Sequence, residues 1–161
     1  MADAGTGPAW RGILFRRTYR ELEDYIVPRC LQLIPATFPG ATFTKQDLTW
    51  TVPSGATLRL RYMERDSDAD GYQGQAYPWI GIDEVGTWRS EIPYRKLLGI
   101  LRSAEGVRHM RMRATANPGG AGHQWVMHRF GIDRHPQGYE IITDPDTGMR
   151  RVINPSKVRD N

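Results

Sequence analysis

The chain has 161 residues, 39% of them apolar and 25% charged, with a formal charge of +4 and a pI near 9.5. That length fits one domain with a sizeable core, and the mild basic excess permits a polyanionic partner without requiring one. One cysteine, Cys30, excludes an internal disulfide framework and a cysteine-rich zinc site, and the absence of a long apolar run excludes a transmembrane helix.

The N-terminus, Met1-Ala2-Asp3-Ala4-Gly5, lacks the charged and apolar regions of a signal peptide, so a soluble intracellular chain is expected. Residues through Gly12 are rich in Gly, Pro and Ala and read as a loop. Ile13-Leu14-Phe15 then reads as a buried strand. Thr18 and Glu21 form a capping-box pair ahead of a helix whose apolar face is Leu22, Tyr25, Ile26, Cys30 and Leu33. Pro28 predicts a kink or an early stop in that helix.

Trp50-Thr51-Val52 and the run from Thr57 to Tyr62 flank Pro53-Ser54-Gly55, which predicts a β-hairpin. The acidic stretch from Glu64 to Gly74 reads as a loop. Trp79-Ile80-Gly81-Ile82 reads as a central strand that delivers Asp83 and Glu84 at its C-terminal end. Pro93, Tyr94, Leu97, Leu98 and Leu101 mark an amphipathic helix with proline in its first turn. The segment from Met110 to Thr115 alternates like a strand and runs into the turn cluster Ala116-Asn117-Pro118-Gly119-Gly120. Strands separated by helices predict an α/β fold with a largely parallel sheet, whose ligands sit beyond the C-terminal strand ends.

Two polar clusters are expected at that edge. Adjacent strand residues point to opposite faces, so Asp83 and Glu84 could take different tasks: one orienting hydrated Mg²⁺, the other the attacking water of nucleotide hydrolysis. A solvated strand end explains the same pair. Thr115-Ala116-Asn117 places a hydroxyl and an amide where they could sense a γ-phosphate, although Asn-Pro-Gly-Gly is also ordinary turn chemistry. The spacing of His109, His123, His128 and His135 argues against a metal cage. Arg111 and Arg113 are expected on an exposed strand face, and Trp125 and Phe130 in the core. No Gly-Lys-Ser/Thr triplet, the mark of a phosphate-binding loop, occurs in the sequence.

Segments 12–22, 72–74, 79–84 and 115–120, continuing through Gly122-His123-Gln124-Trp125-Val126 to Arg129-Phe130 and then 151–161, resemble in order the large terminase subunit of tailed phages. The resemblance implies a P-loop NTPase-like sheet of the additional-strand type, incomplete because the Walker A strand, loop and helix are absent. Residues 1–161 would be the central part of an ATPase motor domain, Met1 an internal methionine, with no nuclease domain present. By that match Asp83 would be the Mg²⁺ carboxylate, Glu84 the catalytic base, and Thr115 and Asn117 part of the coupling motif. Arg16 and Arg17 would be phosphate-contact candidates.

The resemblance also implies ATP and Mg²⁺ as cofactors. It implies double-stranded DNA, a portal protein and a small terminase subunit as partners, with a homo-oligomer in the intact protein and the bacterial host cytoplasm as location. Little ATP hydrolysis is expected of this chain alone. Two alternatives remain: a helicase-like NTPase fragment, and a non-catalytic basic module that binds DNA or a capsid partner.

Overall fold

The computed structural model describes residues 4–103, 105–144 and 147–156. Its main sheet has six strands: β1 (Arg11–Arg16), β2 (Thr42–Thr44), β3 (Thr49–Thr51), β4 (Thr57–Tyr62), β5 (Trp79–Ile82) and β6 (Arg111–Ala114). Their spatial order is β2-β3-β4-β1-β5-β6. β4, β1, β5 and β6 run parallel, while β2 and β3 add antiparallel strands at one edge. The expected hairpin is β3–β4; the short β2 beside it is an addition that the sequence did not suggest.

β1 and β5 are central, and their runs Gly-Ile-Leu-Phe and Trp-Ile-Gly-Ile are apolar on both faces, as a strand covered from both sides requires. On one face Ile13, Phe15, Ile80 and Ile82 pack with Met63, Trp88, Tyr94, Leu97 and Val126. On the other, Leu58 and Leu60 pack with Trp10, Leu22, Ile34 and Trp50, with Leu14 and Trp79 against them. Glycine is required at the centre of this second face. A Cβ on Gly81 would lie 2.5 Å from the Trp79 indole, and one on Gly12 would lie 2.6 Å from the Trp10 indole.

The second face is covered by one continuous helical run: α1 (Tyr19–Glu21), a π-helical stretch Leu22–Ile26, and α2 (Val27–Thr37). The run corrects two expectations. It does not stop at Pro28, because the π register upstream lets Val27 N–H donate to the Leu22 carbonyl and brings Pro28 into the first turn of α2, where its missing N–H costs little. The extra residue also rotates the helix face. Leu22 and Ile34 are buried, with Ile26, Val27 and Cys30 half-buried, whereas Tyr25 and Leu33 are exposed. Burial pushes the Cys30 thiol up to about 11, so it stays neutral.

The capping box is present: Glu21 N–H donates to Thr18 Oγ1 and Thr18 N–H to Glu21 Oε2, each at 3.2 Å. Thr18→Ala is therefore expected to cost about 1 kcal/mol, read as a lower urea midpoint with an unchanged slope. An unchanged midpoint would mean that the box contributes nothing.

The first face carries α3 (Ile92–Ile100), with Pro93 in its first turn and Pro93, Tyr94, Leu97 and Ile100 buried. Beside it lies a 3-10 helix, Asp66–Tyr72, where a loop was expected; Asp68 Oδ2 accepts from the N–H groups of Glu64 and Arg65 and fixes its start. Another 3-10 helix, Ala4–Ala9, precedes β1 within the expected N-terminal loop. α4 (His123–Phe130) follows the 115–122 turn, and a small two-stranded sheet, β7 (Ile142–Thr143) with β8 (Arg150–Arg151), is tied to α4 through Asp144 and Arg129. Among the described residues, no helix is long and apolar enough to cross a membrane.

Candidate functional site

The parallel register builds the site. Asp83 N–H donates to the Phe15 carbonyl at 2.9 Å and Thr115 N–H to the Ile82 carbonyl at 3.0 Å. The ladder thus continues one step past β5 and β6, and sets Asp83 and Thr115 beside Arg16, the last residue of β1, at the C-terminal rim. That is where a parallel sheet binds ligands.

The side chains converge. Thr115 Oγ1 donates to Asp83 Oδ1 at 2.7 Å and accepts from Glu84 N–H at 2.9 Å. Arg16 donates through Nη1 to Asp83 Oδ2 at 2.5 Å and through Nη2 to Glu84 Oε2 at 3.0 Å. Asn117 Nδ2 stands 3.4 Å from Glu84 Oε1, at the long end of hydrogen bonding. The acidic pair and the Thr-Ala-Asn turn therefore share one rim. Arg17 is directed elsewhere, donating to the Met63 carbonyl just beyond β4.

One geometric expectation is corrected. Strand alternation would send Asp83 and Glu84 to opposite faces, but β5 ends at Ile82 and Glu84 adopts a left-handed conformation, φ 53° and ψ 55°. Both carboxylates consequently face the same guanidinium. A left-handed non-glycine residue costs about 1–3 kcal/mol and persists only where its surroundings hold it. Here the hold is the Thr115 hydroxyl on Glu84 N–H and the Thr115 carbonyl on Val85 N–H, the latter at 2.8 Å.

The following 3-10 turn, Val85–Thr87, and Trp88 form the floor. Gly122 N–H donates to the Gly86 carbonyl at 2.8 Å, and Trp125 Nε1 donates to the Trp88 carbonyl at 2.7 Å. A Cβ on Gly122 would lie 2.2 Å from the Trp88 carbonyl oxygen, so only glycine allows α4 to start against this turn. Trp125 and Phe130 pack on Tyr94 as expected of core residues, with centroids 5.9 and 5.5 Å away. His123 Nδ1 accepts from Gly119 N–H, a local turn contact.

Two participants escaped sequence reasoning. Glu21, read only as a helix cap, also places Oε2 3.7 Å from Arg16 Nε. Tyr25, assigned to the core, instead stands by the Arg16 guanidinium at 6.0 Å. The one available signal was their spacing of five and nine residues from Arg16 across a helix start.

Among the described residues, no three His, Cys, Asp or Glu side chains gather as a metal cage. Mg²⁺ needs less. It takes one or two carboxylates and completes its shell with water and phosphate oxygens. Asp83, with the Thr115 hydroxyl hydrogen-bonded to it, is such an all-oxygen donor set and fits that demand.

No family model matches the chain, and no curated protein matches it. Among solved structures it is similar to the large terminase of a thermophilic bacteriophage, with a TM-score of 0.57 and 16% identity over 81% of this chain. It spans 31% of that protein's chain. The likeness is one of fold: a mostly parallel α/β sheet flanked by helices.

Proposed function

We propose that this chain is part of the ATP-driven motor of a phage DNA-packaging protein, and that the rim of β1, β5 and β6 is its nucleotide site. The observation that carries the reading is the convergence of Asp83, Glu84, Thr115 and Asn117 on one rim. Asp83 would hold Mg²⁺, which when bound neutralises charge on the β- and γ-phosphates. Glu84 would accept the proton of the attacking water. Thr115 fixes both acids at once, donating its hydroxyl proton to Asp83 and accepting from the Glu84 backbone N–H. A shift of the 115–117 turn therefore moves both carboxylates together, a suitable link between phosphate state and movement.

In this reading the partners are double-stranded DNA, a portal protein, a small terminase subunit and further copies of the motor, acting in the bacterial host cytoplasm. The exposed Arg111 and Arg113 on edge strand β6 agree with a polyanionic partner.

A fluorescent ATP analogue should bind weakly and only with Mg²⁺, and Asp83→Asn should abolish that Mg²⁺-dependent binding. Binding indifferent to both would sink the nucleotide-site reading. Turnover should stay near background, since the sequence holds no Gly-Lys-Ser/Thr triplet to wrap the phosphates. Turnover well above background that Glu84→Gln abolishes would overturn that expectation while strengthening the reading itself.

A further inference from the structure

Arg16 is the residue that the nucleotide-site reading leaves unexplained. Its side chain is only 9% exposed, and its guanidinium spans the acid pair, one Nη on each carboxylate. Among the described residues Nε has no hydrogen-bond partner, and Glu21 Oε2 waits 3.7 Å from it. An arginine in this position touches acids, and no anion-binding role is visible in its present contacts. We propose that Arg16 is the internal counter-ion of the acid pair, and that it and a divalent cation compete for Asp83. Binding the cation and releasing the guanidinium are then a single event.

Three features carry this. Asp83 has one donor on each oxygen, Thr115 on Oδ1 and Arg16 on Oδ2, and the guanidinium charge beside Oδ2 opposes a second cation at the same carboxylate. The Thr115 hydroxyl can rotate and present its own lone pairs to a cation, whereas a guanidinium offers donors only and cannot deprotonate. Arg16 can yield only by moving. Glu21 gives it a place to go, because the nearby carboxylate keeps the buried charge paired once Asp83 is taken. A displaced guanidinium fork also suits phosphate, so Arg16 becomes available to an anion only after the cation arrives. Its functional meaning rests on the nucleotide-site reading, but the competition itself does not.

The test uses the full chain and Mn²⁺ alone, followed by electron paramagnetic resonance of the free ion. Arg16→Gln should bind Mn²⁺ at least roughly tenfold more tightly than wild type, since it removes a like charge from the cation's side. Arg16→Lys, which keeps the charge, should show no such gain, and adding Asp83→Asn to Arg16→Gln should cancel it. An affinity for Arg16→Gln within about twofold of wild type, with the circular dichroism melt retained, overturns the proposal. Should Arg16→Gln fail to fold, arginine side-chain NMR of wild type decides. Mg²⁺ should shift the Arg16 Nε and Nη signals as the guanidinium leaves Asp83 for Glu21, and signals unchanged through the titration overturn the competition. Loss of nucleotide binding with a preserved Mn²⁺ gain would refute the motor reading alone; nucleotide binding without that gain would refute only the counter-ion.

Discussion

Replacing Asp144 with alanine is expected to destabilise the chain by about 3–5 kcal/mol, the usual loss when one partner of a buried ion cluster is removed. Its side chain is 4% exposed. Asp144 Oδ2 takes Arg129 Nη2 at 2.9 Å and Arg151 Nη1 at 2.7 Å, while Oδ1 accepts from Thr147 N–H. Among the described residues the buried Nε atoms of both arginines have no hydrogen-bond partner, so this carboxylate is the main offset to burying two guanidinium groups. Glu91 relieves Arg129 only in part, at 3.3 Å, and the Tyr94 ring 5.7 Å away adds little. No such help reaches Arg151 among the described contacts. The substitution should release the β7–β8 sheet first and then loosen α4, which carries Arg129. Urea unfolding checks the size of the effect, and hydrogen exchange checks its order. A loss below about 1 kcal/mol would show that the cluster is nearly neutral against its desolvation cost. Asp144→Asn, which keeps acceptors but not the charge, should fall between wild type and alanine.

Trp88→Ala should cost a similar amount, about 3–5 kcal/mol, because a fully buried indole leaves a cavity that its neighbours fill only in part. Trp88 is 0% exposed and sits at the junction of the Val85–Thr87 turn, α3 and α4. Its carbonyl would still accept from Trp125, so the loss belongs to the side chain and not to that hydrogen bond. The contrast with Trp88→Phe is diagnostic. The indole Nε1 is buried with no hydrogen-bond partner among the described residues, so phenylalanine discards a cost along with some volume. That variant should lose less than about 1.5 kcal/mol. Equal losses for the two would mean that volume plays no part. In the alanine variant the floor beneath Glu84 slackens, and the left-handed turn should relax before the sheet melts, visible as early loss of near-ultraviolet circular dichroism.

Much of the architecture could be read along the chain because it depends on short, local patterns. The Trp79–Ile82 strand, the β3–β4 hairpin and the helix opening at Pro93 all follow from apolar spacing and turn residues within windows of a dozen positions or fewer. The Thr18–Glu21 box works the same way, since both partners lie within one turn. Where a pattern depends on helix phase, the structure departs from it. A single π-helical stretch before Pro28 turned Tyr25 and Leu33 outward and Ile34 inward, and no residue type announces such an insertion. The 3-10 helix at Asp66–Tyr72 was equally silent, because its start rests on one carboxylate catching two backbone N–H groups.

The sequence by itself determined that an apolar strand ends in two acids, that another ends in Thr-Ala-Asn, and that both ends lie on the same side of a parallel sheet. Periodicity and strand direction suffice for that. Only the tertiary structure decided that Glu84 turns left-handed, that one guanidinium joins both carboxylates, and that Arg17 serves the Met63 carbonyl instead. Residues 16, 83 and 115 are far apart in the chain, and their meeting depends on the order β1-β5-β6 and a register exact to one residue. Register is a property of packed faces, which no local window contains.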